Sequence, residues 1–277
     1  MADGEYIENK ARFGWLSPDR LNQVRLPLYR TLGRALRRTA PPRRVLILSH
    51  MRAGSTLLSE VISAHPSVLG FGELFLRYDE PRDLWAGDGK IQVRAGLRPS
   101  ARGEVVLDKL LHDYLSPIDV IDRLEGTGTT FVFLVRSPDD AVPSMMSTFG
   151  HSLDASVGHY LERVATLAEM AAVGEPGRAL AVTFDDVTER ADETLAFLSG
   201  HLALDPPLTG SYSRSVRTTG DLSGNLASGR ILPGSEREAP SRRDVPEAAL
   251  AECRVVHEHC VQVLAEHCLT PPGFASG

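Results

Sequence analysis

The segment from Val45 to Ile62 constrains the fold more than any other part of the chain. It begins with four apolar residues, Val45 to Leu48, a run that is long enough for a buried strand and too short for a stable helix. A polar turn follows, and apolar residues then recur at helical spacing at Leu57, Leu58, Val61 and Ile62. This order predicts a strand–turn–helix unit, and a chain of 277 residues is long enough to bury a substantial core around it.

The turn of this unit has the composition of an anion-binding loop. Gly54 lets the backbone approach a ligand closely, Ser55 and Thr56 offer hydroxyl donors, and Arg52 adds a full positive charge. The backbone N–H groups of the turn and of the first helical turn converge where the helix dipole is positive. We therefore predict that a phosphate or a sulfate-like group binds here. The alternative is an ordinary βα turn in an α/β fold that binds no nucleotide.

The loop differs from a Walker A motif. That motif requires a lysine after its last glycine, whereas Ser55 follows Gly54 directly, and no second glycine lies five residues before Gly54.

Three further apolar runs predict strands, and each is followed by charged residues. The runs and their charged ends are Glu104 to Leu107 with Asp108-Lys109, Phe131 to Val135 with Arg136, and Ala179 to Phe184 with Asp185-Asp186. Because α/β folds bind ligands at the carboxyl ends of parallel strands, Lys109 and Arg136 are predicted to face that crevice. The alternatives are a solvated lysine and an ion pair between Arg136 and Asp139 or Asp140.

A helix is predicted to begin at Pro138, directly after the third of these strands. Ser144 follows Arg136 by eight residues, about two turns into that helix. The spacing allows both side chains to reach one anion, the arginine as a fork-shaped donor and the serine through its hydroxyl.

The segment SHMRAGSTLLSEVISAHPSVLGFGELF resembles the first signature of sulfotransferases that use 3'-phosphoadenosine 5'-phosphosulfate (PAPS), particularly the carbohydrate and tyrosylprotein branches. In that signature an R-S-G-[ST]-[ST]-L turn leads into a helix, an H-P dipeptide and a glutamate. The segments Arg52 to Leu57, His65-Pro66 and Glu73 match in order, with Ala53 in place of the usual serine.

Two later segments extend this resemblance. LVRSPDDAVPSM is similar to the second signature, in which an arginine and a serine, here Arg136 and Ser144, hold the 3'-phosphate of the nucleotide. The stretch from Arg217 to Ile231 resembles the late nucleotide-covering loop of related enzymes. The resemblance implies that Arg217 and Arg230 close over the adenosine 3',5'-bisphosphate portion of the donor.

The resemblance implies transfer of a sulfuryl group from PAPS to a hydroxyl of a small-molecule or carbohydrate acceptor. Glu73 is the candidate base, with His50 and His112 in reserve, and Arg52 and Lys109 are expected to assist the transfer. The alternative for Glu73 is an exposed loop acid. The implied donor-binding residues are Arg52, Ala53, Gly54, Ser55, Thr56, Leu57, Arg136, Ser144, Arg217 and Arg230. No metal is implied, and a zinc site at Cys253, His257 and Cys260 is disfavoured because paired CxxC knuckles are absent.

We expect an α/β fold, a P-loop-like three-layer αβα sandwich with a central parallel sheet of four or five strands. One domain is predicted over 1–277, with an N-terminal extension or helix at 1–44, an acceptor lid of irregular structure at 81–104 and the nucleotide-covering loop at 206–244. The alternative at 81–104 is a plain surface loop. The net charge of −6 argues against a nucleic-acid partner. The absence of a signal peptide or long apolar run, with three cysteines in the chain, predicts a cytoplasmic protein without a transmembrane segment.

Two other functions stay open at this point. One is a P-loop-type small-molecule kinase, which the missing lysine disfavours. The other is a non-catalytic nucleotide-binding protein of the same fold.

Overall fold

A computed structural model of the chain describes residues 18–35, 42–70, 72–94, 104–113, 118–124, 126–212, 224–236 and 245–274. The strands are β1 (Arg43–Ser49), β2 (Val68–Gly70), β3 (Val105–Leu110), β4 (Thr129–Val135) and β5 (Leu180–Thr183). The helices are α1 (Pro18–Ala35), α2 (Ser55–Ser63), α3 (Asp83–Arg94), α4 (Val120–Arg123), α5 (Pro138–Phe149), α6 (Leu153–Val173), α7 (Phe184–Glu189), α8 (Ala191–His201) and α9 (Glu247–His267). Short 3₁₀ helices cover Gly224–Ser228 and Gly234–Glu236.

The five strands form one parallel sheet in the order β2-β3-β1-β4-β5. Alternate residues of each strand enter two separate apolar clusters. In β1, Leu46 and Leu48 pack with α5, α6 and α9, whereas Val45 and Ile47 pack with α2, α7 and α8. Because helices cover both faces, the interior strands are apolar along almost their whole length. The predicted three-layer α/β fold is confirmed.

Two details of the sheet were not predicted. The short strand β2 has no distinctive apolar run, and its three residues pair only with the start of β3. Strand β3 extends to Leu110, so Asp108 and Lys109 are paired residues of the strand rather than residues that follow it.

The prediction of irregular structure over 81–104 is wrong for residues 83–94, which form α3. An Asp88 carboxylate holds α3 to the sheet through a buried two-point ion pair, with Arg44 Nη2 at 2.5 Å from Oδ2 and Arg44 Nε at 3.2 Å from Oδ1. Helix α1 crosses α3 so closely that a Cβ on Gly89 would lie 2.1 Å from the carbonyl oxygen of Tyr29. The missing side chain of Gly89 permits this helix contact. A role in acceptor binding stays a prediction, and residues 95–103 lie outside the described part.

None of the helices in the described ranges has the length and apolarity that crossing a membrane requires.

The connections leave the sheet in opposite directions at β1 and β4. Helix α2, which follows β1, packs on one face, and α5, which follows the neighbouring strand β4, packs on the other. Such a divergence opens a crevice beyond the carboxyl ends of the two strands, where ligands of open α/β sheets bind.

Candidate functional site

The loop between β1 and α2 is held in a conformation that requires its glycine. Gly54 has φ +90° and is the N-cap of α2, and a Cβ at this position would lie 2.4 Å from a ring carbon of Phe184. Arg52 also has a positive φ, of 64°. Two left-handed residues within one loop turn its backbone back over the start of α2, where the first-turn N–H groups of Ser55, Thr56 and Leu57 have no acceptors within the helix. Ala53, between them, is completely buried.

The two segments that resemble the sulfotransferase signatures contact each other. Arg52 Nε donates to Ser144 Oγ at 2.9 Å, and Arg136 Nη1 donates to the carbonyl oxygen of Arg52 at 3.3 Å. The structure therefore brings Arg52, Arg136 and Ser144 together at the crevice between β1 and β4. Their role in binding the donor stays a prediction.

Arg136 is a half-buried cation, and both Nη atoms of its guanidinium have protein partners. Its Nη2 lies 3.3 Å from Asp140 Oδ2, so the predicted ion pair exists. Its Nε is buried and has no hydrogen-bond partner among the described residues. Burial lowers the pKa of Arg136, with Asp140 acting in the opposite direction. The ion pair thus leaves part of the guanidinium's donor capacity unused in a buried place, which is typical of a group that meets a ligand.

Phe184 is a site residue that the sequence analysis did not identify. Its ring lies against Gly54 on one side, and the guanidinium carbon of Arg136 is 3.9 Å from the ring centroid. This distance is well within the range of a cation–π contact. The sequence signal that could have identified Phe184 was an aromatic residue directly after the β5 run and before two acids. Of those acids, Asp186 caps α7: its Oδ2 accepts from the Thr183 N–H at 2.7 Å.

Lys109 reaches the same loop from the next strand. Its Nζ donates to Thr56 Oγ1 at 3.0 Å, and the residue is only 2% exposed. The alternative of a solvated lysine is therefore wrong. Thr56 lies in the first turn of α2, so the ammonium group adds positive charge to the predicted anion site.

Glu73 is buried rather than exposed, and backbone contacts hold its segment. The residue is 5% exposed, and its carbonyl oxygen accepts from Arg94 Nη1 at 3.1 Å. His112 Nε2 lies 3.9 Å from Glu73 Oε1. A buried carboxylate beside an imidazole is an arrangement that can accept and pass on a proton.

Asp108 connects the Glu73 segment to Lys109, a role that the sequence analysis did not assign. Its Oδ1 accepts from the N–H groups of Leu74 and Lys109, both at 2.8 Å, and its Oδ2 accepts from the Tyr78 hydroxyl at 2.8 Å. Burial raises the pKa of Asp108 to about 6, although these three donors act in the opposite direction. The carboxylate therefore fixes the relative positions of Glu73 and Lys109.

His50 does not qualify as a base, so that reserve prediction is wrong. Its Nδ1 lies 2.9 Å from the carbonyl oxygen of Met51, which only accepts, so Nδ1 carries the proton. Its Nε2 then accepts from the backbone N–H of Arg136 at 3.1 Å. Complete burial lowers the pKa of His50 to about 3. The imidazole is therefore neutral, and its only lone pair is already engaged. His112 remains the reserve candidate.

The late loop is described only in part. Arg217 lies outside the described residues. Arg230 lies within the described stretch 224–236, with its Nη2 2.5 Å from Glu236 Oε2 and both side chains about half exposed. Its backbone is fixed nearby, since Ile231 N–H donates to the Gly210 carbonyl at 2.7 Å. A contact between Arg230 and the donor stays a prediction.

Comparison of the sequence with protein-family models and with characterised protein sequences finds no match. Comparison with solved structures finds sulfotransferase domains. The sulfotransferase domain from the curacin biosynthetic pathway is 16% identical, with a TM-score of 0.54 over 78% of this chain and 96% of that domain. The sulfotransferase domain from the Synechococcus PCC 7002 olefin synthase is 15% identical, with a TM-score of 0.55 over 78% of this chain and 94% of that domain. The chain therefore has a sulfotransferase-type fold.

Proposed function

We propose that the protein is a sulfotransferase that moves a sulfuryl group from PAPS to a hydroxyl of a small-molecule or carbohydrate acceptor. The observation that carries this proposal is the contact between the two anion-binding segments. The Arg52–Ser144 hydrogen bond and the Arg136–Arg52 contact gather three donors at one crevice of a sulfotransferase-type fold. The similar domains come from a natural-product pathway and an olefin synthase, which favours a small-molecule acceptor over a protein tyrosine.

The residues at the crevice suit a nucleotide with phosphates at both ends of its ribose. Arg136 and Ser144 would hold the 3'-phosphate, since the buried Nε of Arg136 has no acceptor among the described residues. The loop from Arg52 to Leu57 would hold the 5'-phosphosulfate through its N–H groups and the Ser55 and Thr56 hydroxyls. Arg217 and Arg230 would cover the nucleotide from the late loop.

The transfer itself asks the protein for position and charge more than for covalent chemistry. The acceptor oxygen forms a bond to sulfur while the bond from sulfur to the bridging phosphate oxygen breaks. Lys109, Arg52 and the loop N–H groups stabilise the negative charge on the departing oxygen. The acceptor proton passes to the Glu73 carboxylate, with His112 3.9 Å away as the group that can relay it.

The first experiment separates donor binding from transfer. Calorimetry measures the dissociation constants of adenosine 3',5'-bisphosphate and adenosine 5'-phosphate, and mass spectrometry then screens alcohol and carbohydrate acceptors with PAPS for the gain of one SO₃ group. We expect the wild-type protein to bind the bisphosphate more tightly than adenosine 5'-phosphate. Arg136→Ala should bind the two nucleotides with similar affinity.

Three results would contradict the proposal. Equal affinity for the two nucleotides would remove the 3'-phosphate site. Bisphosphate binding without transfer to any acceptor would favour a non-catalytic nucleotide-binding protein. Magnesium-dependent turnover of ATP would favour a kinase.

A further inference from the structure

We infer that His50 and Tyr160 are positioning residues that fix the backbone of Arg136, and through it the recognition of a 3'-phosphate. This inference depends on the proposed function, because it assigns Arg136 to the 3'-phosphate of the donor. It concerns two buried side chains to which the signature resemblance gives no such role.

Arg136 is the first residue beyond the end of the sheet. The last pairs of β4 are Leu134 with Ser49 of β1 and Val135 with Thr183 of β5. Ser137 then serves as the N-cap of α5. The peptide groups of Arg136 therefore lie between the strand ladder and the helix, and their position must be fixed by other partners.

Side chains supply both of those partners. The N–H of Arg136 donates to His50 Nε2 at 3.1 Å, and the carbonyl oxygen of Arg136 accepts from the Tyr160 hydroxyl at 2.7 Å. The two rings meet edge to face, with centroids 4.9 Å apart and an interplanar angle of 72°. His50 and Tyr160 thus hold one residue from both sides of its backbone.

The hydrogens of this cluster follow from its acceptors. The Tyr160 hydroxyl has one hydrogen, which goes to the Arg136 carbonyl because a carbonyl only accepts. His257 Nδ1, at 3.0 Å from the same hydroxyl, must then donate to the tyrosine oxygen. His50 is protonated at Nδ1 and presents a lone pair at Nε2, as its contact with Met51 requires. Every hydrogen in the cluster therefore has one acceptor, and the arrangement is unique.

This cluster positions the guanidinium indirectly, because it fixes the backbone from which the Arg136 side chain extends. The guanidinium of Arg136 stacks 3.9 Å from the Phe184 ring centroid and reaches the Arg52 carbonyl at 3.3 Å. A backbone that shifts would carry the guanidinium away from Phe184 and from the loop. Hydrogen bonds to an anion weaken steeply when their distance and angle change. Loss of the His50 or Tyr160 contact should therefore weaken recognition of the 3'-phosphate specifically.

The test measures the 3'-phosphate preference, defined as the ratio of the dissociation constants of adenosine 5'-phosphate and adenosine 3',5'-bisphosphate. Calorimetry gives this ratio for the wild type, Arg136→Ala, Tyr160→Phe, His50→Leu and His50→Gln, with thermal unfolding as the measure of folding. We expect Tyr160→Phe and His50→Leu each to lower the preference about fivefold, the effect of roughly one hydrogen bond. We expect His50→Gln to recover most of it, because its amide oxygen can accept from the Arg136 N–H.

Tyr78→Phe is the matched control. It also removes a buried tyrosine hydroxyl, one that donates to Asp108 at 2.8 Å, and should lower stability without changing the preference. An equal change of the preference in Tyr78→Phe and Tyr160→Phe would show a general loosening of the protein and overturn the inference. An unchanged preference in Tyr160→Phe would also overturn it. If His50→Leu does not fold, the Tyr160→Phe result decides alone. An unchanged preference in Arg136→Ala would instead refute the 3'-phosphate site itself, and the inference with it.

Discussion

The two halves of the candidate site are built in different ways. On the side proposed to bind the donor (the donor side), Arg52, Gly54 and Arg136 lie in two short strand-to-helix loops of neighbouring strands, and the loops contact each other directly. On the side proposed to receive the acceptor (the acceptor side), the segment of Glu73 is joined to the backbone of Lys109 through the buried carboxylate of Asp108, and Glu73 is also held by Arg94 of α3.

This difference separates direct contact between two loops from support through a buried carboxylate. The donor side depends on turn geometry and on single contacts between the two loops, so a change there should affect one nucleotide contact at a time. The acceptor side depends on a buried polar network that crosses three elements, in which the loss of one member leaves others unsatisfied. A change on the acceptor side should therefore alter turnover, the free energy of unfolding and the pH dependence of both.

Replacement of Glu73 should have the largest effect. Glu73→Gln keeps the size of the side chain and removes the carboxylate that we propose accepts the acceptor's proton. We expect turnover to fall about 10²- to 10⁴-fold, as for the loss of a general base, while bisphosphate affinity changes little. Kinetics with an acceptor found by the PAPS screen, together with calorimetry, measure both quantities. Near-normal turnover in Glu73→Gln combined with a large loss in His112→Asn would move the base to His112.

The loop glycine should give the next largest effect. Gly54→Ala strains a residue at φ +90° and places a Cβ 2.4 Å from the Phe184 ring. We expect a loss of about 3–4 kcal/mol in the free energy of unfolding, the sum of left-handed strain and overpacking. Urea unfolding measures it.

The control for this glycine is Gly126→Ala. Gly126 has φ +70° and no atom within 4 Å of a Cβ built on it. Its replacement should cost only about 1 kcal/mol, the strain alone. Similar losses in both variants would mean that the Phe184 contact contributes nothing, and the donor side would then lack its packed aromatic support.

Asp108 should give the acceptor side a dependence on pH. Its carboxyl has a pKa of about 6 in the folded protein against 3.8 for an unperturbed aspartate, so the folded state binds more protons between these values. The free energy of unfolding should therefore fall as the pH rises through that window, by about 2–3 kcal/mol relative to Asp108→Asn. Urea unfolding of both proteins between about pH 4 and pH 7 measures the difference. Parallel pH profiles would show that Asp108 does not titrate there.

The separation of contacting residues along the chain explains what the sequence could and could not predict. The fold and the donor loop follow from apolar runs, from Gly54 and from the Arg136–Ser144 spacing, which are local patterns. The sequence did not reveal α3, because Gly87 and Gly89 look like loop residues until Gly89 is packed against α1 and Gly87 against Tyr78. Nor could it reveal that Asp108 accepts the Leu74 N–H or that Phe184 lies on Gly54, since both contacts join distant segments. The sequence could not exclude His50 as a base either, because the contact that engages its Nε2 comes from the distant Arg136.

Replacement of Arg230 should have the smallest effect, and it tests whether the donor side includes the late loop. Arg230 pairs with Glu236 at 2.5 Å, and both side chains are about half exposed, so the pair should contribute less than about 1 kcal/mol to stability. If Arg230 covers the nucleotide, Arg230→Ala should weaken bisphosphate binding about threefold without changing unfolding, an effect that salt screens. Glu236→Gln is the matched control: it breaks the same ion pair and keeps the arginine, so affinity should stay or rise. Calorimetry at low and high salt distinguishes the two variants. Equal, unchanged affinities would confine the donor side to the loops that follow β1 and β4.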